Sequence, residues 1–186
     1  MPLKISISGL AGSGKSSLVK EIVARTGFAT ADVGQIFRAR ALEKGMTITE
    51  YDKFIEKNPE EDIAMDNDFK KLVENCQKDI IVSWRIGFHF VPDIISIWLD
   101  VSPEEGAKRI MLDDGRGGQE KKYSSLEEAI KTNEDRMERV RQRLKLLYGI
   151  DFMNKSNYTK VIDTTGKGFE EVLGEVMEYI EECKII

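Results

Sequence analysis

The sequence predicts an α/β fold in which a parallel sheet of about five strands is flanked by helices. Five short apolar runs alternate along the chain with segments of helical spacing or composition. Such alternation is typical of βαβ units, whose strands run parallel because a crossover helix joins them. At 186 residues the chain has the size of one domain, so we expect a single domain over residues 1–186.

The individual elements follow from the spacing of apolar residues and from glycine, proline and polar boundaries. We expect strands over residues 3–8, 28–31, 79–83, 94–101 and 160–163. We expect helices over residues 15–26, 34–44, 49–57, 59–77, 103–112, 125–147 and 169–182. Two connections exceed the length of a simple crossover, namely a helical insertion at 34–78 and a polar segment at 113–125. The second has the composition of a lid that closes over substrates, although solvated surface has the same composition.

The composition is that of a soluble globular protein. Hydrophobic residues make up 41% and charged residues 33% of the chain, and no apolar run reaches the roughly 20 residues that span a bilayer. The formal charge of −5 gives no general attraction for a nucleic-acid backbone. Two distant cysteines, Cys76 and Cys183, predict neither a disulfide framework nor a zinc site. We therefore expect a cytoplasmic protein that binds neither membrane nor nucleic acid, with monomer and homodimer both left open.

A glycine-rich loop between the first strand and the first helix carries the chemistry. It matches the pattern G-x-x-x-x-G-K-[ST] and comprises Gly9, Leu10, Ala11, Gly12, Ser13, Gly14, Lys15, Ser16 and Ser17. The backbone N–H groups of such a loop surround phosphate oxygens, and the helix N-terminus adds partial positive charge. The sequence therefore predicts a P-loop NTPase fold that binds a nucleoside triphosphate.

Three side chains of this loop have expected roles. Lys15 should reach the β- and γ-phosphates, and the hydroxyl of Ser16 should bind Mg²⁺, with a weaker claim for Ser17. A switch GTPase is disfavoured, because the D-x-x-G match at 163–166 lies on the last strand and follows an imperfect N-K-x-D match at 154–157. A small phosphotransferase fits the chain better than a large ATPase.

Phosphoryl transfer also needs cations beyond the loop, since charge spreads over the transferring phosphate oxygens. Arg38 lies near the end of the second predicted strand, Arg85 follows the third, and Arg109 precedes the candidate lid. These arginines are the first candidates for contacts with phosphate.

The long helix after the candidate lid carries four more arginines: Arg136, Arg139, Arg141 and Arg143. At 3.6 residues per turn, Arg136, Arg139 and Arg143 lie near one face of the helix, whereas Arg141 points elsewhere. The shared face is suited to clasp phosphates. The alternative is a surface helix whose arginines pair with neighbouring glutamates and aspartates.

Several segments together resemble the archaeal-type cytidylate kinases, a group of P-loop nucleoside monophosphate kinases, over nearly the whole chain. They are residues 5–9 (ISISG), 34–38 (GQIFR), 44–46 (KGM), 58–66, Arg85, 108–110 (KRI), 147–151 (LYGID), Tyr158 and 161–164. The loop itself is specific only for phosphate, whereas GQIFR and LYGID together are more telling. This chain resembles a divergent member of that family.

The resemblance implies that the acceptor, a nucleoside monophosphate, lies between the helical insertion and the sheet. In the family pattern, Arg38 and Arg85 hold the acceptor phosphate. Asp62 and Asp66 match an acidic pair near the acceptor base or ribose, although exposed helix acids are an alternative interpretation.

The same resemblance implies ATP as the phosphoryl donor, with Mg²⁺ as cofactor. Arg136 and Arg143 match the lid-side arginines that cover the transferring phosphoryl group and, with Lys15, would be the catalytic residues. Arg109 is a supporting candidate.

Three departures from the family pattern concern charge. The family commonly has an acidic residue and then glycine before the arginine of the third strand, where this chain has Ser83 and Trp84. Gly106 and Asp113 stand where arginines are expected, and Arg116 is a candidate to compensate. Since losing one charge stabiliser can cost about 10²-fold in rate, a slow enzyme is one possible outcome.

The expected function is ATP-dependent phosphorylation of CMP or dCMP to the diphosphate. Two alternatives stay open at this point. The acceptor is AMP, UMP or a nucleoside instead, or the chain is a catalytically weak nucleotide-binding module.

Overall fold

Five parallel strands form the centre of the molecule. The structure, a computed structural model, describes residues 1–112 and 123–185. The strands are β1 (Lys4–Gly9), β2 (Ala29–Asp32), β3 (Ile80–Ser83), β4 (Ile95–Asp100) and β5 (Lys160–Asp163), in the spatial order β2-β3-β1-β4-β5. Each lies within one residue of a predicted strand at both ends. The predicted α/β fold with a parallel sheet is therefore confirmed.

Helices connect the strands and cover both faces of the sheet. They are α1 (Lys15–Thr26), α2 (Val33–Glu43), α3 (Ile48–Lys57), α4 (Pro59–Asn75), α5 (Gly87–Phe90), α6 (Pro103–Leu112), α7 (Leu126–Tyr148) and α8 (Phe169–Ile185). The sequence did not predict α5, because a single apolar turn has too few residues to show helical periodicity. Across the described ranges, we find no helix that is both long and apolar enough to cross a membrane.

The central strand β1 contributes to two different cores. Ile5 and Ile7 are fully buried against α1 and α8 on one face of the sheet. Ser6 and Ser8 alternate with them and face the opposite side, which is covered by α4 and α7. Ser6 Oγ donates a hydrogen bond of 2.8 Å to the carbonyl oxygen of Trp84, so its burial leaves no unpaired hydroxyl.

The helical insertion has a small core of its own. Helices α2, α3 and α4 pack around Phe37, Ala41, Ile48, Tyr51, Ile55 and Met65. Helix α3 begins with a capping box in which Thr47 and Glu50 each bond to the other's backbone N–H. These local contacts hold the insertion as a distinct layer, and its helices carry carboxylates into the cavity described below.

Candidate active site

The glycine-rich loop lies at the carboxyl end of β1, the edge at which open α/β sheets bind ligands. Gly9, Gly12 and Gly14 have φ angles of 141°, 78° and 86°, which residues with a side chain rarely adopt. A Cβ atom on Gly9 would lie 2.1 Å from the carbonyl oxygen of Leu99. The loop geometry therefore requires glycine at these positions.

Helix α6 packs directly on the same loop. A Cβ atom on Gly12 would lie 2.2 Å from the carbonyl oxygen of Gly106, and one on Gly106 would lie 2.7 Å from the carbonyl oxygen of Ala11. Gly106 is buried at this contact. The departure at Gly106 thus has a packing reason, because the arginine of the family pattern has no room there.

The side chain of Lys15 crosses the loop. Its Nζ donates hydrogen bonds to the carbonyl oxygens of Gly9, at 3.0 Å, and Leu10, at 2.6 Å. Ser16 and Ser17 are exposed and line the adjoining cavity. The ammonium group is therefore held over the loop by its carbonyl oxygens.

One cavity of about 970 Å³ joins the loop to the helical insertion. This volume is at the upper end of the usual range for ligand pockets, roughly 300–1,000 Å³. Its wall includes all the predicted charged site residues, namely Lys15, Arg38, Asp62, Asp66, Arg85, Arg136 and Arg143. The fold therefore brings together residues that are up to 128 positions apart in the sequence.

Arg143 lies between two buried carboxylates of the insertion. Its Nε donates to Asp62 Oδ2 at 2.6 Å, and its Nη1 lies 3.5 Å from Asp52 Oδ1. The other oxygen of Asp52 is 3.6 Å from Nε of Arg136. The side chains of Asp52 and Asp62 are 6% and 4% exposed, so this network is shielded from water and links α7 to α3 and α4.

Asp62 and Asp66 are buried rather than surface acids of α4. Burial raises the pKa of Asp62, while the charge and hydrogen bond of Arg143 act in the opposite direction. Asp66 accepts hydrogen bonds from Trp84 Nε1, at 3.1 Å, and from Tyr148 Oη, at 3.0 Å. Because both donors are neutral, burial dominates and raises the pKa of Asp66 to about 6.

Arg85 is a half-buried cation that follows the carboxyl end of β3. Burial, followed by the positive charge of Arg136, lowers the pKa of Arg85 to about 10, so the guanidinium remains charged at neutral pH. Its Nε atom is buried and has no hydrogen-bond partner among the described residues. A buried N–H donor without a partner is costly, and an anion in the cavity would remove that cost.

Arg38 and Arg109 occupy two other parts of the wall. Arg38 lies beside Asp32, with 3.9 Å between Nη2 and Oδ2, and its side chain is 40% exposed. Arg109 donates to Thr164 Oγ1 at 3.1 Å and to the carbonyl oxygen of Thr164 at 2.8 Å. Arg109 therefore joins α6 to the segment after β5, on the loop side of the cavity.

Sequence reasoning missed several residues of the wall. Asp52 was detectable in principle, because it lies four positions after Ile48 on the apolar face of an amphipathic helix, where a carboxylate needs a partner. Thr164, Lys167 and Phe169 also line the cavity. No local signal marks these three, since only the position of β5 beside β4 brings them to the loop.

The proposed lid at 113–125 falls largely on residues 113–122, which lie outside the described residues. Asp113 and Arg116 belong to that range. Within the described part, Ser124 Oγ donates to Glu128 Oε2 at 2.6 Å, and Ser125 caps α7 by accepting from the N–H of Glu128.

A parallel α/β sheet with a glycine-rich loop after its central strand, and arginines converging on one cavity, defines a P-loop phosphotransferase. A family model described as an AAA domain matches residues 5–131. The chain is 34% identical over 180 residues to a cytidylate kinase from Thermococcus kodakarensis, covering 96% of this chain and 88% of that one. It is 29% identical over 184 residues to a cytidylate kinase from Archaeoglobus fulgidus, covering 98% of this chain and 97% of that one. The chain belongs to the archaeal-type cytidylate kinase family, as a divergent member.

A longer relative also contains a similar segment. The chain is 33% identical over 187 residues to an S-adenosylmethionine-dependent nucleotide dehydratase from Lacinutrix mariniflava. That match covers 100% of this chain, which spans only 37% of the length of the dehydratase.

Solved structures support the same fold at low sequence identity. Shikimate kinase from Bacteroides thetaiotaomicron has a TM-score of 0.63 at 13% identity, covering 96% of this chain and 98% of that one. A gluconokinase from Sinorhizobium meliloti has a TM-score of 0.56 at 14% identity, covering 97% and 96%. At such identities the likeness concerns the fold alone.

Proposed function

We propose that this protein transfers the γ-phosphoryl group of ATP to a nucleoside monophosphate, most favourably CMP or dCMP, with Mg²⁺ as cofactor. The observation that carries the proposal is the buried, unpartnered guanidinium nitrogen of Arg85, in the cavity that also contains the phosphate-binding loop. One cavity thus offers a donor phosphate site and a second, separate anion site, as a kinase with a phosphorylated acceptor requires.

A nucleotide acceptor fits better than shikimate or gluconate. The relatives of higher identity have names that concern nucleotides, whereas the sugar-type kinases share only the fold. Asp66, which lines the cavity, supports cytosine in particular, because an ionised carboxylate accepts from the exocyclic amino group that cytosine presents. Uracil presents a carbonyl oxygen at that position and would face the carboxylate unfavourably.

The residues present fit Mg²⁺ bound mainly through nucleotide phosphates. Among residues 1–112 and 123–185, no group of three or more His, Cys, Asp or Glu side chains could cage a metal ion. Mg²⁺ in kinases typically needs few protein ligands, and the exposed hydroxyl of Ser16 is suitably placed at the start of α1. When bound, the ion would neutralise charge on the β- and γ-phosphates.

The chain's own contribution is positioning and charge stabilisation. Lys15 would exchange loop carbonyls for phosphate oxygens, while Arg38 and Arg85 hold the acceptor phosphate in line. Arg136 and Arg143 would then stabilise charge on the transferring group. Because phosphoryl transfer makes few demands on proton transfer, the mechanism needs neither a strong base nor a covalent intermediate.

A catalytically weak nucleotide-binding module is the alternative that Ser83 favours, because the family pattern has a carboxylate there. A kinase for AMP, UMP or a nucleoside is the second alternative.

Both cysteines are free, in keeping with the reducing cytoplasm in which we place the reaction.

The test is ADP release measured with a panel of CMP, dCMP, AMP, UMP and cytidine as acceptors. We expect the highest kcat/KM with CMP or dCMP, and a loss of about 10²-fold or more in Lys15→Ala, whose circular dichroism should remain that of the wild type. Equal rates with all five acceptors would contradict cytosine selection. Near-normal turnover of Lys15→Ala, or no product with any acceptor, would refute the proposed kinase.

A further inference from the structure

A carboxylate lies one strand away from the position at which the family pattern has its acid. Asp32 ends β2 and Ser83 ends β3, and the two residues are paired in the register of the parallel strands. Neighbouring strands lie about 4.8 Å apart, and paired residues of parallel strands direct their side chains to the same face. The carboxylate absent from Ser83 is therefore present on the adjoining strand, at the same level and on the same face.

The carboxylate of Asp32 belongs to the wall of the cavity. The side chain is 14% exposed and lines the cavity together with Lys15, Ser16 and Ser83. Its Oδ1 accepts a 2.7 Å hydrogen bond from the N–H of Gly34, which caps α2 and fixes the orientation of the group. The carboxylate is thus fixed at Oδ1 by a backbone contact, while its Oδ2 lies 3.9 Å from Nη2 of Arg38.

Capping alone does not explain an acid at this position. Serine and asparagine cap helices about as well as aspartate, so the start of α2 requires an acceptor oxygen but no negative charge. The charge stands instead at the strand edge that faces the phosphate-binding loop. A carboxylate there is suited to accept hydrogen bonds from water molecules in the shell of Mg²⁺, which the ion usually keeps in protein sites.

We propose that Asp32 is a positioning residue for phosphoryl transfer, supplying from β2 the carboxylate that this chain lacks at Ser83 on β3. It acts on the Mg²⁺-bound triphosphate through metal-bound water. This inference rests on the proposed kinase function and adds a residue to it. It also explains how the chain tolerates serine at position 83.

The test moves the charge from one strand to the other. Asp32→Ser removes the carboxylate but keeps a capping hydroxyl, and the double variant Asp32→Ser/Ser83→Asp restores one carboxylate on β3. Each protein is assayed for kcat and for KM of CMP over a range of Mg²⁺ concentrations. Calorimetry of a non-hydrolysable ATP analogue, with and without Mg²⁺, measures the Mg²⁺-dependent part of binding without any turnover.

We expect Asp32→Ser to lower kcat by about 10²-fold and to reduce the Mg²⁺-dependent gain in analogue affinity by about tenfold. The double variant should recover most of the lost kcat and most of the lost Mg²⁺-dependent gain in affinity. Ser83→Asp alone should not raise turnover, since the site already has its carboxylate. Asp32→Asn, which also keeps the cap, should behave like Asp32→Ser, and the Tm of both should stay close to that of the wild type.

Two results would overturn the inference. An unchanged Mg²⁺-dependent gain in both Asp32→Ser and Asp32→Asn would show that the charge has no role at the metal. A rise in KM for CMP alone would show that Asp32 only orients Arg38. Failure of the proposed kinase is distinguishable, because the calorimetric comparison still tests Asp32 if no acceptor is phosphorylated.

Discussion

Replacing Asp66 with asparagine should change how the stability of this protein depends on pH. Burial raises the pKa of Asp66 to about 6 in the folded chain, from an ordinary value of 3.8. Because the folded state then holds the proton more tightly than the unfolded chain, this contribution to stability is fully present below about pH 4 and is lost as the pH rises through about 6. At about 1.36 kcal/mol per pKa unit, the loss amounts to about 3 kcal/mol.

The geometry around Asp66 accommodates the asparagine. The new amide oxygen can accept from Trp84 Nε1, and the amide nitrogen can donate to the hydroxyl oxygen of Tyr148, which acts as acceptor as well as donor. The variant therefore keeps a satisfied, uncharged group at every pH. Relative to the wild type, its free energy of unfolding should increase by about 3 kcal/mol between pH 4 and pH 7.5.

Urea unfolding followed by circular dichroism at several pH values measures this difference. Asp68→Asn is the matched control, because the side chain of Asp68 lies on the same helix and is 68% exposed. The Asp68→Asn substitution should change the free energy of unfolding by no more than about 0.5 kcal/mol at any pH. If the free energies of unfolding of Asp66→Asn and the wild type differ by the same amount from pH 4 to pH 8, the predicted effect of the raised pKa is wrong.

Two further substitutions test the acceptor site and the loop. Arg38→Ala should raise the KM for CMP by about tenfold or more with little change in the KM for ATP. Arg40 lies outside the cavity wall, so Arg40→Ala should change neither KM. An equal loss of affinity for both substrates in Arg38→Ala would show that Arg38 has a structural role. Gly106→Ala should weaken binding of an ATP analogue by about tenfold or more, because its Cβ displaces the backbone at Ala11. The same change at Gly174 of α8, where the added Cβ meets no atom, should leave that affinity unaltered, and equal affinities for both variants would refute the packing argument.

The fold was predictable from the sequence because its signals are local. Each strand is a short apolar run, and the loop requires glycine at fixed spacings for backbone reasons that no other residue satisfies. The arginines of α7 also followed from helical geometry, since Arg136 and Arg143 do meet at one carboxylate. That carboxylate, Asp52, was missed because its partners lie 84 and 91 residues further along the chain.

The remaining features depend on strand order and packing, which periodicity does not encode. Nothing near Asp32 indicates that β2 lies beside β3 rather than beside β1, so its closeness to Ser83 follows only from the sheet. The hydrogen bond of Trp84 to Asp66 likewise joins segments that are separate in sequence. The departure at Gly106, which in isolation looks like a lost charge, likewise has a packing explanation that only the folded chain shows.

The carboxylate partners of Arg143 would also affect product release in the proposed kinase reaction. In the proposed reaction, a phosphate that binds this arginine would compete with Asp62 and Asp52 for its N–H groups, because both carboxylates already contact the guanidinium. The two carboxylates would act as internal competitors at high effective concentration, so part of the attraction of Arg143 for phosphate would be offset in every binding event. In that reaction a newly formed diphosphate would be held less tightly than by an unpaired arginine, and a shorter residence time would favour repeated turnover over storage of the product.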